Sequence, residues 1–102
     1  MVASKPKILV TGASGLIGGL VLDSLSGKYE FSSVNRRKVE GIPCLQADIA
    51  DLEAILPAFE GMDMVLHLSA YTEDINEWGG TLSVNIVGTY NVYEAARRHG
   101  VK

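Results

Sequence analysis

Residues 11–18, which read TGASGLIG, constrain the fold of this chain more than any other segment, because three regularly spaced glycines stand between two different hydrophobic patterns. The apolar run over residues 8–10 that precedes them is typical of a buried strand. Apolar residues at helical spacing follow them, namely Leu16, Ile17, Leu20, Val21, Leu22 and Leu25. The segment therefore predicts a strand, a tight turn and a helix whose apolar face packs on the strand.

The three glycines of this loop have separate predicted roles. Gly12 allows backbone dihedrals that a side chain would forbid, Gly15 leaves room for phosphate groups, and Gly18 allows close packing of the helix. The start of the helix then offers unpaired N–H groups and the positive end of its dipole to an anion. We predict that the loop holds the pyrophosphate of a dinucleotide through Gly12, Ser14, Gly15, Leu16, Ile17 and Gly18.

Two alternatives compete with a dinucleotide loop at this segment. A nucleoside-triphosphate P-loop needs a Lys-Ser or Lys-Thr pair after its glycines. Residues 17–19 read IGG at that place, which excludes a P-loop. A flexible turn without a ligand is the second alternative, and the flanking strand and helix patterns argue against it.

The composition describes one globular domain over residues 1–102, with 47% hydrophobic residues and a formal charge of −3. Nine basic against twelve acidic residues, with no basic stripe, give no reason to expect a nucleic-acid partner. No apolar run approaches the roughly 20 residues of a membrane span, and no signal peptide is recognisable. We therefore expect no membrane partner and a cytoplasmic location. Cys44 is the only cysteine, so neither a disulfide within the chain nor a multi-cysteine metal site is expected.

Further periodic segments extend the pattern into an alternating α/β chain. Strands are predicted over residues 8–10, 30–34, 41–46 and 64–68, and helices over residues 16–25, 51–59 and 81–99. The last helix should stop at Gly100. Pro43 cannot donate a ladder hydrogen bond, which places the third strand at an edge. The predicted fold class is thus α/β, a doubly wound parallel sheet of strand order 3-2-1-4.

Ligands of such sheets bind at the carboxyl ends of the strands, and the end of the second strand indicates the type of cofactor. Asn35, Arg36 and Arg37 lie there, where an acid would bind the ribose 2′-hydroxyl of NAD and an arginine would accept the 2′-phosphate of NADP. No acid stands at this place. The segment therefore favours NADP(H), with NAD(H) as the alternative cofactor and a solvated basic turn as the alternative without a ligand.

The ends of the third and fourth strands provide further candidate contacts. Asp48 is placed to accept a hydrogen bond from the adenine amino group and Ile49 to cover the ring, although Asp48 could instead cap a turn. After the fourth strand, small residues would let the backbone lie along the cofactor, and we include Leu68, Ser69 and Ala70 in the site.

Several polar and aromatic residues near these segments have structural interpretations. His67 is interpreted as a hydrogen-bonded core histidine, and Trp78, in the loop before the last helix, as a packing anchor. Asn85 points either at the loop after the fourth strand, as a cofactor-site residue, or at solvent. The acidic residues of that loop, Glu73, Asp74 and Glu77, are interpreted as solvated and not as metal ligands.

These motifs together resemble those of the extended short-chain dehydrogenase/reductase family, in its nucleotide-sugar epimerase and dehydratase group. The glycine loop resembles the family's TGxxGxxG loop, residues 47–49 its adenine motif, residues 67–70 (HLSA) its HLAA-type motif, and residues 85–89 (NIVGT) its Asn-x-x-Gly-Thr helix. The resemblance implies a Rossmann-type fold, NAD(P) binding and a role for Asn85 in ordering the nicotinamide side of the site. Residues 85–97 are also similar to those of uronate dehydrogenases.

The catalytic groups that the resemblance implies do not occur in this sequence. Family members carry a Ser or Thr on a fifth strand and then a Tyr-x-x-x-Lys pair, and none of the four tyrosines here has a lysine four residues later. We therefore expect a truncated chain without catalytic residues, the N-terminal part of an oxidoreductase or epimerase that acts on a sugar or another carbonyl substrate. A non-catalytic dinucleotide sensor is the alternative function. The resemblance also implies pairing of the last helix in a homodimer.

Overall fold

The computed structural model describes residues 5–74 and 76–102 and contains a parallel sheet of four strands in the order β3-β2-β1-β4. The strands are β1 (Lys7–Thr11), β2 (Glu30–Asn35), β3 (Cys44–Gln46) and β4 (Met64–His67). In the central strand, Val10 is aligned with Ser33 of β2 and Leu66 of β4. The predicted fold class and strand order are confirmed.

Helices connect the strands and cover both faces of the sheet. They are α1 (Leu16–Leu25), α2 (Leu52–Ile55) with a following 3-10 turn (Leu56–Phe59), and a long last helix over residues 78–99. The last helix consists of α3 (Trp78–Gly80), a π-helical segment (Thr81–Gly88) and α4 (Thr89–His99). Asp51 caps α2, because its carboxylate accepts a hydrogen bond of 3.3 Å from the N–H of Ala54.

The strand β1 is apolar on both sides because alternate residues face two separate cores. Ile8 and Val10 lie in the core beneath α1, with Phe31 and Val39. Leu9 lies in the opposite core, together with Val34, Ile55, Phe59, Val92 and Ala95. Each of the large buried side chains contributes about 1.5–3 kcal/mol relative to an exposed position. These two cores fix β1 at the centre of the sheet and so fix the glycine loop at its carboxyl end.

The apolar face of α1 is only partly used, which differs from the prediction. Val21, Leu22 and Leu25 pack on the sheet. However, the side chains of Leu16, Ile17 and Leu20 are 82%, 62% and 58% exposed. A helix presents one stripe of residues to a sheet, and these three lie outside that stripe.

The third strand is shorter than predicted and begins at Cys44. Gly41 has a φ of 88°, which is incompatible with an extended strand. Pro43 has no N–H to donate, and its carbonyl accepts a hydrogen bond of 2.9 Å from the N–H of Ser33. The edge position predicted from Pro43 is confirmed.

The last helix begins at Trp78, three residues before the predicted start, and the Trp78 side chain is 63% exposed, so the prediction of a packing anchor in a loop is wrong. Glu77 starts the helix, because its carboxylate accepts hydrogen bonds from the N–H groups of Gly79 and Gly80. Residues 81–88 then follow a π-helical path. Side-chain periodicity over so few residues does not distinguish this path from an α-helix.

After the last helix the chain turns back to the outer edge of β4. Gly100, with a φ of 67°, ends the helix as predicted. Lys102 then donates its N–H to the carbonyl of Asp63 at 3.3 Å and accepts from the N–H of Val65 at 2.6 Å. These two bonds form one parallel rung beside Met64. In the described part of the chain, no helix is both long and apolar enough to cross a membrane.

Candidate functional site

A cleft of about 330 Å³ lies at the carboxyl ends of the strands, between the glycine loop and the loop after β4. Of the predicted site residues, all except Leu16, Ile17, Gly18 and Asn85 line this cleft. The sheet thus brings together residues 35–37, 48–49 and 68–70, which are distant in sequence. Ligands of doubly wound sheets bind at this place because the connections on either side of the central strands diverge here.

A wider depression of about 710 Å³ lies at the opposite end of the sheet. Its walls include Lys5, Lys7, Tyr29 and Gly41, and it is far from the glycine loop. The amino ends of parallel strands present no helix N-terminus to a ligand. We therefore take the cleft at the carboxyl ends as the candidate site.

The glycines of the loop allow three close approaches of the backbone. Gly12 has a φ of 75°, and a Cβ there would lie 2.8 Å from the carbonyl carbon of Leu68 and from the N atom of Ser69. A Cβ at Gly18 would lie 2.6 Å from the carbonyl oxygen of Gly12. Gly15 lines the cleft, and a Cβ there would meet only the Gly12 carbonyl oxygen, at 3.3 Å. The turn is therefore packed against both α1 and the end of β4, and at Gly15 it presents backbone without a side chain to the cleft.

Gly15 is the N-cap residue of α1, and no side chain of the described residues caps this end of the helix. Its first turn also contains no acidic residue. The first N–H groups of the helix and the positive end of its dipole are therefore available to an anion. Because Leu16, Ile17 and Gly18 do not line the cleft, any contribution from them comes from these backbone N–H groups.

Asn35 connects the glycine loop to the turn after β2. Its Nδ2 donates to Ser14 Oγ at 3.2 Å and to the carbonyl oxygen of Arg37 at 2.7 Å. Gln46 donates to the carbonyl oxygen of Arg36 at 3.5 Å. These bonds hold the backbone of the turn, while the exposed side chains of Arg36 and Arg37 remain at the wall of the cleft.

Asp48 and Ile49 are held in the wall of the cleft by neighbouring polar groups. One carboxylate oxygen of Asp48 accepts from the N–H of Ala50 at 2.9 Å, so Asp48 does form the turn that the sequence left as an alternative. Buried Asn91, on the last helix, donates its Nδ2 to the carbonyl oxygen of Ile49 at 2.8 Å. The Ile49 side chain thereby stays at the cleft.

His67 is a hydrogen-bonded, half-buried histidine, as the sequence suggested. Its Nδ1 lies 2.6 Å from Thr11 Oγ1, and its Nε2 lies 3.0 Å from Thr89 Oγ1. The Thr11 hydroxyl also accepts from the N–H groups of Leu68 and Ser69, at 3.0 and 3.2 Å. Desolvation lowers the pKa of His67 below its usual value.

Asn85 points at the loop after β4 and not at solvent. Its Oδ1 accepts from the N–H of Tyr71 at 2.7 Å, and its Nδ2 donates to the carbonyl oxygen of Tyr71 at 3.1 Å. Both ends of the amide are therefore used to hold the loop, and the side chain acts one step away from the cleft. Three residues later, a Cβ at Gly88 would lie 2.5 Å from Ile49 Cδ1, so glycine allows the helix to approach the cleft wall.

The loop between β4 and the last helix contributes residues that the sequence prediction missed, because Tyr71, Thr72 and Glu73 also line the cleft. Partial desolvation, together with the carboxylates of Glu77, Glu73 and Asp74, raises the pKa of the Tyr71 phenol. The phenol therefore stays protonated and able to donate. Within the described ranges, no group of acidic, histidine and cysteine side chains is arranged to hold a metal ion.

Residues 8–102 match the sequence model of the NAD dependent epimerase/dehydratase family. The chain belongs to this family. Solved structures share the fold of this chain over most of its length. The crystal structure of uronate dehydrogenase from Agrobacterium tumefaciens superposes with a TM-score of 0.83 at 32% identity, over 94% of this chain and 38% of that one.

Two further relatives indicate the range of the family. An L-arabinose 1-dehydrogenase (NAD(P)(+)) of Haloferax volcanii is 40% identical over 90 residues, 88% of this chain and 35% of that protein. UDP-glucose 4-epimerase of Thermus thermophilus, in complex with NAD, superposes with a TM-score of 0.84 at 26% identity, over 94% of this chain and 35% of that one. The chain spans 35% to 38% of the length of these three relatives.

Proposed function

We propose that this chain is the NAD(P)-binding part of a dehydrogenase or epimerase that acts on a sugar. One observation carries the proposal: the ends of all four strands and the uncapped N-terminus of α1 meet at a single cleft. The named relatives support it, since they are an arabinose dehydrogenase, a uronate dehydrogenase and a UDP-glucose epimerase.

The residues of the cleft fit a dinucleotide that lies across the ends of β2, β1 and β4. The pyrophosphate would lie at the bare wall of Gly15, against the N–H groups of α1. The adenosine would lie between Arg36 and Ile49, with the second oxygen of Asp48 accepting from the adenine amino group. The nicotinamide would lie toward residues 68–70. A bound nicotinamide supplies the acceptor or donor of a hydride, and the residues of this chain hold and orient it.

We further propose that the cofactor is NADP(H) in preference to NAD(H). An acidic side chain at the end of β2 would select NAD, but Asn35 stands at this position. Asn35 has no charge and already donates to Ser14 Oγ and to the Arg37 carbonyl oxygen. Two exposed arginines stand beside it. A charge-assisted hydrogen bond to a 2′-phosphate contributes on the order of 1.5–3 kcal/mol.

The acid–base step of the reaction is, in this proposal, not performed by residues 5–102. None of the four tyrosines has a lysine four residues later. Both ring nitrogens of His67 are engaged by threonine hydroxyls. General acid–base catalysis supplies about 10² to 10⁴ in rate, so the chain alone should bind the cofactor without turnover.

Titration of the chain with NADPH, followed by calorimetry, tests the proposal with two matched variants. Gly15→Val places a side chain at the cleft wall, whereas Gly19→Val adds the same side chain to α1 where no atom lies within 4 Å. We expect Gly15→Val to weaken binding about tenfold or more, the equivalent of one lost charge-assisted bond, and Gly19→Val to bind like the wild type.

Equal affinities of the wild type and Gly15→Val would contradict the placement of the pyrophosphate. A second measurement follows NADPH absorbance with a panel of aldoses, uronates and ketones. Oxidation that depends on the chain would contradict the claim that acid–base groups are lacking.

We also propose that the chain self-associates through the outer face of the last helix. Large apolar or aromatic side chains recur there every three or four residues and are 38% to 71% exposed: Trp78, Leu82, Ile86, Tyr90 and Tyr93. A continuous apolar stripe of this length on a surface indicates an interaction face. The support for a second copy as its partner is the family's helix pairing noted above.

A further inference from the structure

His67 joins three elements directly behind the cleft. It is the last residue of β4, and its two ring nitrogens contact Thr11 of β1 and Thr89 of the last helix. The next two residues, Leu68 and Ser69, line the cleft, and the backbone at Gly12 packs against them. The imidazole therefore lies where a change in its hydrogen bonds would reach the cofactor side of the loop.

The donors and acceptors around this imidazole favour its neutral form with the proton on Nε2. A hydroxyl oxygen has two lone pairs and one hydrogen. Thr11 Oγ1 accepts from the backbone N–H groups of Leu68 and Ser69, and the Leu68 N–H is shared with the Thr11 carbonyl oxygen at 3.1 Å. With two N–H groups directed at its oxygen, the Thr11 hydroxyl is arranged to donate its hydrogen to His67 Nδ1, which leaves the ring proton on Nε2. The Nε2–H donates to the Thr89 hydroxyl.

Protonation of the ring would break this arrangement. A second ring proton on Nδ1 would point at Thr11 Oγ1, which is 2.6 Å away and has no free lone pair. The Thr11 hydroxyl would then release at least one of its bonds to the loop: Leu68 keeps its bond to the Thr11 carbonyl oxygen, whereas the bond from Ser69 is to the hydroxyl. Burial also disfavours the charged ring and lowers the pKa of His67.

The charged groups of the neighbouring elements do not offset this effect. On β1, Lys7 lies at the far end and pairs with Glu30. On the last helix, Glu94 binds Arg97 and Arg98. In the loop after β4, the acidic side chains act on Tyr71. Desolvation by burial is the cause of the lowered pKa of His67. The polar groups that contact its ring are the hydroxyls of Thr11 and Thr89, and these therefore decide its protonation state.

We propose that neutral His67 is a positioning residue for the cofactor cleft, and that proton uptake by its ring weakens dinucleotide binding. The inference rests on the proposed function, because it concerns the same cleft. By linkage, a cofactor that binds the neutral form better must lower the pKa of His67 when it binds. The affinity for the cofactor at low pH is then weaker than at high pH, by about tenfold for each unit by which cofactor binding lowers the pKa of His67.

The affinity for NAD between pH 8 and pH 5.5 tests this coupling in three proteins. NAD is the suitable probe because it lacks the 2′-phosphate, whose second pKa near 6 would add its own titration. We expect the wild type to bind more weakly at low pH. His67→Asn, whose amide oxygen can accept from Thr11 but cannot titrate, should bind equally at both ends of this range. His99→Gln alters the other histidine of the chain, which is exposed, and should follow the wild type.

Nitrogen NMR of the imidazole ring provides a readout that needs no variant and that a merely structural histidine would not show. We expect the Nε2–H tautomer at pH 8, and a pKa that falls further when NAD is added. An Nδ1–H tautomer, an unchanged pKa on NAD addition, or a wild-type affinity that does not fall over the pH range in which NMR shows the ring taking up its proton would overturn the inference. Absence of NAD and NADP binding at every pH would instead overturn the proposed function.

Discussion

Gly12 and Gly41 both have a positive φ angle but differ in their surroundings, so they separate two reasons why a position requires glycine. Both have positive φ values, 75° and 88°. A Cβ at Gly12 would lie 2.8 Å from backbone atoms of residues 68 and 69, while a Cβ at Gly41 would meet nothing within 4 Å. Alanine at Gly41 therefore carries only the strain of a left-handed conformation, about 1–2 kcal/mol.

We predict that Gly12→Ala destabilises the fold more than Gly41→Ala does. The additional cost arises because the glycine loop and β4 must move apart, and it should exceed the ~1–2 kcal/mol of conformational strain. Urea unfolding of both variants measures the difference in free energy of unfolding. Equal losses would show that the close approach to residues 68 and 69 carries no energetic weight.

Arg36 decides the predicted preference for NADP. Its side chain is exposed at the cleft wall, whereas Lys38, two residues later, is exposed but does not line the cleft. We expect Arg36→Ala to weaken NADP binding about tenfold to a hundredfold with little effect on NAD, and Lys38→Ala to change neither. Calorimetric titration with both cofactors measures these affinities. A wild type that binds NAD as tightly as NADP would contradict the assignment.

The residues that order the site from behind could not be read from local sequence spacing. The glycine motif predicts its own turn because all of its parts are neighbours in sequence. In contrast, Thr11 is 56 residues from His67, Asn91 is 42 residues from Ile49, and Thr89 is 22 residues from His67. Such pairs exist only once the sheet has set the register. The sequence therefore predicts residues that line the cleft better than residues that support it.

Whole elements were predictable where one period dominates the sequence. The burial of β1 and the end of the last helix at Gly100 follow from local patterns. The start of the last helix does not follow from a local pattern, because it depends on the Glu77 carboxylate, which caps a helix with two glycines in its first turn. The exposed half of α1 also escaped prediction, because an apolar residue on a helix does not state which partner covers it.

The carboxyl-terminal turns of the last helix contain an ion cluster with a defined pH range. Arg97 and Arg98 each donate to Glu94 at 2.8 Å, and these hydrogen bonds lower the pKa of Glu94 from its ordinary 4.5 to about 2. A lowered carboxyl pKa stabilises the fold above pH 4.5, and this contribution is lost as the pH falls toward 2.

We therefore predict that Glu94→Gln lowers the melting temperature at pH 7 and that the difference from the wild type shrinks at pH 3. Circular dichroism at both values measures it. Glu60→Gln is the control, since Glu60 is exposed and forms no ion pair with the described residues. The difference should also shrink at high salt, because exposed charges are screened. A difference in melting temperature that stays constant with pH would mean that Glu94 stabilises the fold by packing and not by its charge.

At the scale of the whole molecule, the two edge strands of the four-stranded sheet, β3 and β4, differ in how readily they could pair with another chain. Pro43 and the short β3 limit pairing at one edge. At the other edge, the single rung from Lys102 covers the start of β4 and leaves Leu66 and His67 beyond it. The outer edge of β4 and the apolar face of the last helix are thus the two surfaces of the described residues through which a second copy could pair.

We predict that the chain self-associates mainly through the apolar face of the last helix and that the resulting dimer is weak. Residues 78–93 extend over about 24 Å of helix and offer a few hundred Å², less than the ~800 Å² per partner of a stable interface. Sedimentation equilibrium from micromolar to millimolar concentration should show a reversible monomer–dimer transition. Tyr90→Glu should abolish it, whereas Leu20→Glu, the same type of change on the exposed part of α1, should leave it intact. Association that survives Tyr90→Glu would point to the edge of β4, and a strict monomer at all concentrations would rule out both routes.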